Sequence, residues 1–191
     1  MPRQVFDYDP PERFVAGTVG EPGSRTFFLQ ARAGSRVTSV ALEKAQVSVL
    51  AERVEELLDE VLRVSGGKAP VPAVAPVDAD DAAPLDVPIE EEFRVGAMSL
   101  AWDPDAGRVV VECFAEGVSV DEDEDDDEEE ELDDDELEGA VLRVSLTGAA
   151  ARAFTKRALA VVAAGRPPCP FCNNPLDPQG HICPRANGYR R

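Results

Sequence analysis

The stretch RFVAGTVGEPGSRTFFLQARAGSRVTSVALEKAQVSVLAERVEELLDEVLRV, residues 13–64, contains three β-rich segments followed by one long helical pattern. Pro22 and Gly23 separate the first two segments, which predicts a hairpin, and Gly34 with Ser35 leads into the third. From Glu43 onwards the apolar residues recur at helical spacing, which predicts one amphipathic helix that packs on the core. The stripe consists of Val47, Leu50, Val54, Leu57, Leu58, Val61 and Leu62.

The same order of elements recurs in residues 93–165. FRVGAMSLAW and RVVVECFA flank the turn DPDAG and predict a second hairpin, and AVLRVSL at 140–146 predicts a third strand. A second helix is predicted from Thr147, a suitable N-cap residue, to Ala164. Its apolar stripe is narrower than that of the first helix.

Two segments, VALEKAQ at 40–46 and VSLTGAA at 144–150, occupy equivalent junctions between a strand and a helix. We therefore interpret the chain as an internal repeat of two similar units, 13–64 and 93–165. Each unit has about three antiparallel strands and one helix. The predicted fold class is α+β, with a core formed by residues 1–165 and helices covering one face.

Two long insertions separate these elements. Residues 66–88 contain five prolines and no useful periodicity, which predicts a linker or exposed loop of variable conformation. Residues 121–138 contain 16 acidic groups and no basic residue, which predicts a disordered loop. This acidic run either only increases solubility or screens the basic surface that follows it.

Composition and charge restrict the class of protein. The chain has a net charge of −19 and is 43% hydrophobic, and no window approaches the roughly 18–20 apolar residues that a membrane span needs. The polar N-terminus lacks the apolar region of a secretory signal. These features predict a soluble cytoplasmic protein that has no membrane partner.

The C-terminal residues 166–191 contain the most specific chemical pattern in the chain. Cys169, Cys172, His181 and Cys183 form C-x2-C-x8-H-x-C. Three thiolates and one imidazole make a closed tetrahedral set, which predicts a structural Zn²⁺ site in a small C-terminal module. A redox dithiol at CPFC is the alternative, and it is disfavoured because NNPLDP does not readily begin a helix.

The sequence assigns no catalytic residue and leaves enzymatic activity undecided. His181 is the only histidine and is used by the metal hypothesis, and no phosphate-binding loop is present. The favoured function is a non-catalytic regulatory or adaptor protein that binds a protein partner. Its candidate interaction surface comprises Arg152, Lys156, Arg157, Arg185, Arg190 and Arg191.

Two other functions remain open at this point. One is an enzyme that acts on a phosphorylated or otherwise anionic small molecule bound between the two units. The other, less favoured, is nucleic-acid binding through the basic C-terminal module. Cys113, in a strand, is interpreted as a buried and inert thiol.

Two quoted stretches carry a family resemblance: PPERFVAGTVGEPGSRTFFLQA at 10–31, and residues 142–191, which begin LRVSLTGAA and end in RANGYRR. They resemble an actinobacterial family catalogued as domain of unknown function 3090. The resemblance implies an intracellular actinobacterial protein with a C-terminal zinc-finger-like CxxC…HxC element. It implies no established reaction, substrate or catalytic residue.

Overall fold

The computed structural model describes residues 4–117, 139–165, 168–172, 174, 176 and 183–185. Within these ranges the chain forms seven β-strands and two α-helices, with a short 3-10 turn at Val77–Ala79. The elements are β1 (Gln4–Tyr8), β2 (Arg13–Val19), β3 (Thr26–Ala33), β4 (Arg36–Leu42), α1 (Lys44–Val64), β5 (Glu91–Asp103), β6 (Arg108–Ala115), β7 (Ala140–Thr147) and α2 (Gly148–Ala163).

The described strands form one mixed sheet in the order β1-β7-β6-β5-β4-β3-β2. Strand β3 pairs antiparallel with β2 and β4, and β6 pairs antiparallel with β5 and β7. A short parallel pairing of β4 with β5 joins these two groups. The predicted α+β class is confirmed. Each group of three strands precedes one helix, as the repeat hypothesis expects, and the equivalence of the two units remains a prediction.

Strand β1 was not expected from the sequence. It lies at one edge of the sheet and pairs with β7 in parallel, with Gln4 opposite Ala140 and Tyr8 opposite Val144. The Tyr8 side chain is buried, and its hydroxyl is 2.8 Å from the hydroxyl of Thr38 in β4. A five-residue edge strand has too few alternations to be recognised, and its partner is far along the chain.

Both helices begin where the sequence predicts. The Thr147 side chain accepts a hydrogen bond from the amide of Ala150 at 3.2 Å, so Thr147 is the N-cap of α2. Glu43 forms a capping box with Gln46 at the start of α1. Neither helix among the described residues combines the length and apolar character needed to cross a membrane.

The main core lies between the helices and one face of the sheet. The α1 residues predicted to face the core, including Val47, Leu50, Val54 and Leu58, are buried there. The rings of Phe14 in β2 and Phe154 in α2 stack with centroids 4.7 Å apart. Burial of this apolar surface is the main favourable term for the fold.

The proline-rich segment, residues 66–88, contributes Val71 to the main core and covers the opposite face of β2, β3 and β4 around Leu85. Leu85 packs there with Val15, Phe28 and Ala41 in a second, smaller cluster. An added Cβ at Gly17 would lie 2.6 Å from the Leu85 Cγ, so only glycine lets Leu85 pack this closely. The expectation of a simple exposed linker is therefore corrected for the part of the segment around Leu85.

Charged groups hold the same segment against the sheet. The guanidinium of Arg13 donates hydrogen bonds to the carboxylates of Asp81, at 2.6 Å, and of Asp86, at 3.0 Å. The amide of Asp86 donates to the Gln30 side chain at 2.7 Å, and the Gln30 amide group donates back to the Asp86 carbonyl at 3.0 Å. These contacts cannot be predicted from local sequence patterns because their partners are more than 50 residues apart in the chain.

The acidic run, residues 121–138, lies outside the described residues, so its predicted disorder remains a prediction. Its position in the chain is between β6 and β7. This is the connection between the second and third strands of the second proposed unit.

We expect Asp81→Asn to lower the free energy of unfolding by about 1–2 kcal/mol at neutral pH, because it weakens charge-assisted hydrogen bonds. The hydrogen bonds from Arg13 hold the pKa of Asp81 below its ordinary value and outweigh the opposing effect of burial. A depressed carboxyl pKa stabilises the fold above the unfolded-state pKa, near 3.9, and that stabilisation is lost as the pH falls. Denaturant unfolding from pH 3 to 7 measures the difference between the two proteins.

The matched control is Asp78→Asn, which removes the same charge from an exposed position in the same segment. It should change stability by less than about 0.5 kcal/mol. Equal effects of the two substitutions would show that Asp81 does not hold the segment in place.

Candidate metal centre

The candidate metal centre follows α2 in the chain. Cys169 and Cys172 lie on a tight turn, in which the Cys169 amide donates a hydrogen bond to the Asn174 carbonyl at 2.8 Å. Cys183 returns to this turn from further along the chain. The Sγ atoms of the three cysteines all lie within 4.8 Å of one another.

The spacing of the sulfurs fits metal coordination. The Sγ atoms of Cys169 and Cys183 are 3.9 Å apart. Tetrahedral ligands at a Zn–S distance of 2.3 Å would be separated by about 3.8 Å, whereas a disulfide requires about 2.05 Å. The three thiols can therefore hold a metal ion. His181, the fourth expected ligand, lies outside the described residues.

Backbone amides of the turn point at the sulfurs. Burial by itself would raise the pKa of the Cys169 thiol, but hydrogen bonds from the amides of Cys172 and Phe171 outweigh it and lower this pKa. A hydrogen bond from the Asn174 amide also lowers the pKa of the Cys172 thiol. Burial and the two neighbouring sulfurs outweigh it and raise this pKa above its ordinary value. A bound cation would favour the thiolate form of all three.

Cys113 does not belong to this cluster. It lies in β6 opposite Met98 and Leu142 and is fully buried, as the sequence predicts. Burial, with a smaller contribution from Glu112, raises the pKa of its thiol to about 12. A thiol with so high a pKa is a poor nucleophile and a poor metal ligand at neutral pH.

Arg152 does not lie on an exposed surface, in contrast to its place in the predicted interaction surface. The residue is 2% exposed. Its guanidinium is 2.5 Å from the Glu55 carboxylate and 2.6 Å from the Asp59 carboxylate, both in α1, and it donates to the Pro72 carbonyl at 3.1 Å. Arg152 thus contacts its own chain on α1 and on the proline-rich segment.

The next two basic residues of α2 also have partners within the fold. Arg157 donates to the Ala16 carbonyl at 2.9 Å and is 3.1 Å from the Asp81 carboxylate. Burial lowers the pKa of Arg157, although Asp81 opposes this effect. Lys156 is half-exposed and lies 2.6 Å from the Asp80 carboxylate. The basic residues of α2 are therefore neutralised by acidic groups of α1 and of the proline-rich segment.

Two exposed residues remain beside the cysteines. Phe171, between Cys169 and Cys172, is 45% exposed. Arg185 is exposed and donates to the Phe171 carbonyl at 3.3 Å. The sequence analysis does not predict a role for Phe171. Its position is the signal: both thiols of C-x2-C must face the metal, so the residues between them point outward. Arg190 and Arg191 lie outside the described residues.

A protein-family model described as "Protein of unknown function (DUF3090)" matches residues 6–183. The chain belongs to this family. The DUF3090 match spans all the elements from β2 to α2 and ends at the last of the three clustered cysteines. Comparisons of the chain with curated proteins and with solved structures found no match. The family assignment carries no activity, so the site must be interpreted from its own geometry.

We expect Arg152→Ala to lower the free energy of unfolding by about 1–3 kcal/mol, because it removes a buried stem and three polar contacts at once. Lys156→Ala, one turn along the same helix, should cost less than about 1 kcal/mol because its ion pair is exposed to solvent. Chemical denaturation of both variants measures the difference. Equal losses would contradict the structural role of Arg152.

We expect the purified DUF3090 chain to bind one equivalent of zinc, used here as the probe ion, and Cys172→Ser to weaken this binding. Removing a hydrogen bond to a metal ligand lowers metal affinity by roughly 10–100-fold. Cys172→Ser should lower the zinc affinity by more than this, because a ligand atom itself is lost. Competition with a chromogenic chelator measures the affinity. Cys113→Ala, the matched control, should leave it unchanged, and equal binding by all three proteins would disprove the site.

Proposed function

We propose that this protein is a non-catalytic adaptor whose C-terminal module is held in shape by a structural zinc ion and contacts a protein partner. The observation that carries the proposal is the cluster of three Sγ atoms within 4.8 Å of one another, in which Cys169 and Cys183 lie at the spacing of tetrahedral ligands. The proposed ligands are Cys169, Cys172 and Cys183, with His181 as the fourth.

The donor set supports a structural role for the ion. Three sulfurs and one imidazole would complete the tetrahedral coordination of Zn²⁺ and leave no position open for water or substrate. Residues 166–191 are too few and too polar to form a large core of their own. Metal binding would therefore supply much of the free energy that orders them. A site built from thiols also fits a cytoplasmic location, where thiols remain reduced.

Two arginines of the predicted contact surface have partners within the fold: Arg152 is buried and Arg157 pairs with Asp81. The turn between the cysteines is therefore the better candidate for the contact surface. Phe171 and Arg185 are exposed there side by side. Exposed aromatic and arginine side chains carry a large share of the binding energy in protein interfaces. We propose a partner with an apolar pocket and an acidic rim.

A comparative capture experiment tests the adaptor proposal. Phe171→Ser should abolish recovery of specific partner proteins while leaving the zinc content at one equivalent, because the substituted side chain is not a ligand. Cys172→Ser should abolish both. Quantitative mass spectrometry of captured proteins, together with metal analysis of each bait, separates the two effects.

The matched control is Val77→Ser, which removes another highly exposed apolar side chain far from the cysteines in sequence. It should recover the same proteins as the wild type. If Phe171→Ser and Cys172→Ser also recover them in equal amounts, the C-terminal module is not the interaction surface.

A further inference from the structure

A cavity of about 450 Å³ opens where the C-terminal end of α2 meets the first residue of α1 and the turn between β2 and β3. Its volume is within the range of small-molecule sites. The cavity does not include the clustered cysteines or Phe171. The residues that matter for its chemistry are Arg25, Phe27, Lys44, Val162, Ala163 and Gly165.

Two cationic side chains converge on this cavity. The Arg25 Nη2 and the Lys44 Nζ would each lie 3.8 Å from a Cβ placed on Gly165, so they flank the same small gap. Among the described residues, neither group has a carboxylate within ion-pair distance. The three most buried arginines of the fold, Arg13, Arg152 and Arg157, all have such carboxylates.

The guanidinium of Arg25 is held in place by neutral contacts. Arg25 donates to the Ala164 carbonyl at 2.9 Å, and its guanidinium lies 5.1 Å above the centre of the Phe27 ring. The hydrogen bond to Ala164 satisfies one of the free carbonyls at the end of α2. Among the described residues it is the one hydrogen bond that this guanidinium donates, so its other nitrogens can bind a ligand. Lys44 is the first residue of α1, where the helix dipole adds positive potential.

Like charges that face each other across a small gap repel unless an anion lies between them. A chain with 38 acidic and 19 basic residues has enough carboxylates to neutralise every cation, yet none of the described carboxylates pairs with these two. Gly165 keeps the gap open because a longer side chain would fill it. Val162 and Ala163 supply an apolar wall beside the cations.

We propose that this cavity binds the phosphate group of a small phosphorylated molecule, with Arg25 and Lys44 as its ligands. The guanidinium fork and the ammonium group neutralise the phosphate, and the apolar wall contacts the group that the phosphate is attached to. The site is independent of the proposed zinc centre and of the adaptor surface. It requires no catalytic residue and makes the protein a binder of phosphorylated small molecules.

Isothermal titration calorimetry of the full chain with phenyl phosphate tests this proposal at constant ionic strength, with inorganic phosphate as the second probe. Wild type should bind phenyl phosphate at one site and more tightly than inorganic phosphate, because only the former contacts the apolar wall. The double variant Arg25→Gln/Lys44→Gln should weaken binding by at least about 10-fold, since two charge-assisted contacts are lost.

The matched control is Arg53→Gln/Lys68→Gln, which removes the same charge from exposed positions and should stay within about 2-fold of the wild type. Gly165→Val keeps both cations but fills the gap, and it should weaken binding as much as the double variant does. Wild-type protein that binds neither probe, or equal affinity in all four proteins, would overturn the proposal. Cys172→Ser should bind phenyl phosphate normally, which keeps this test separate from that of the zinc centre.

Discussion

One buried guanidinium joins α2 to two other parts of the fold. Arg152 reaches from α2 to Glu55 and Asp59 of α1 and to the Pro72 carbonyl of the proline-rich segment, so three separate parts of the chain meet at one side chain. Taking a guanidinium out of water is costly unless its donors are satisfied. Arg152 gains two hydrogen bonds, to Asp59 and Pro72, and an ion pair with Glu55 only when the three parts are assembled together. This makes the position of α2 a cooperative property of the fold.

The position of α2 in turn sets where both candidate sites lie. Its C-terminal end forms one wall of the phosphate cavity and carries Gly165, and residues 166–191 begin directly after it. Arg157 fixes the same helix to the Ala16 carbonyl of β2, and the stacked rings of Phe14 and Phe154 add an apolar contact between the two elements. The helix is therefore held at several points before the chain enters the cysteine-containing module. A rigid support of this kind suits the small metal-stabilised interaction module that we propose.

Some of the acidic residues of this chain stabilise the fold by pairing with basic residues. Asp80, Asp81 and Asp86 of the proline-rich segment neutralise basic groups of β2 and α2. The sequence predicts a basic surface on α2, but the basic residues of this helix form ion pairs with carboxylates of the same chain. Arg25 and Lys44 differ from these groups because no described carboxylate pairs with them. The distinction between neutralised and unpaired cations is what separates the structural arginines from the proposed ligands.

The sequence by itself determined the local elements: six of the seven described strands, both helices, the N-cap at Thr147 and the pair of cysteines that form the turn at Cys169 and Cys172. Each of these depends on residues close together in the chain, where periodicity, capping and turn chemistry act directly. Only the tertiary structure decided the edge strand β1, the parallel pairing of β4 with β5, the covering role of Leu85 and the burial of Arg152. These features join residues far apart in the chain. The local sequence around a charged residue is the same whether its side chain faces water or pairs with a distant carboxylate. Only the folded structure distinguishes these two environments.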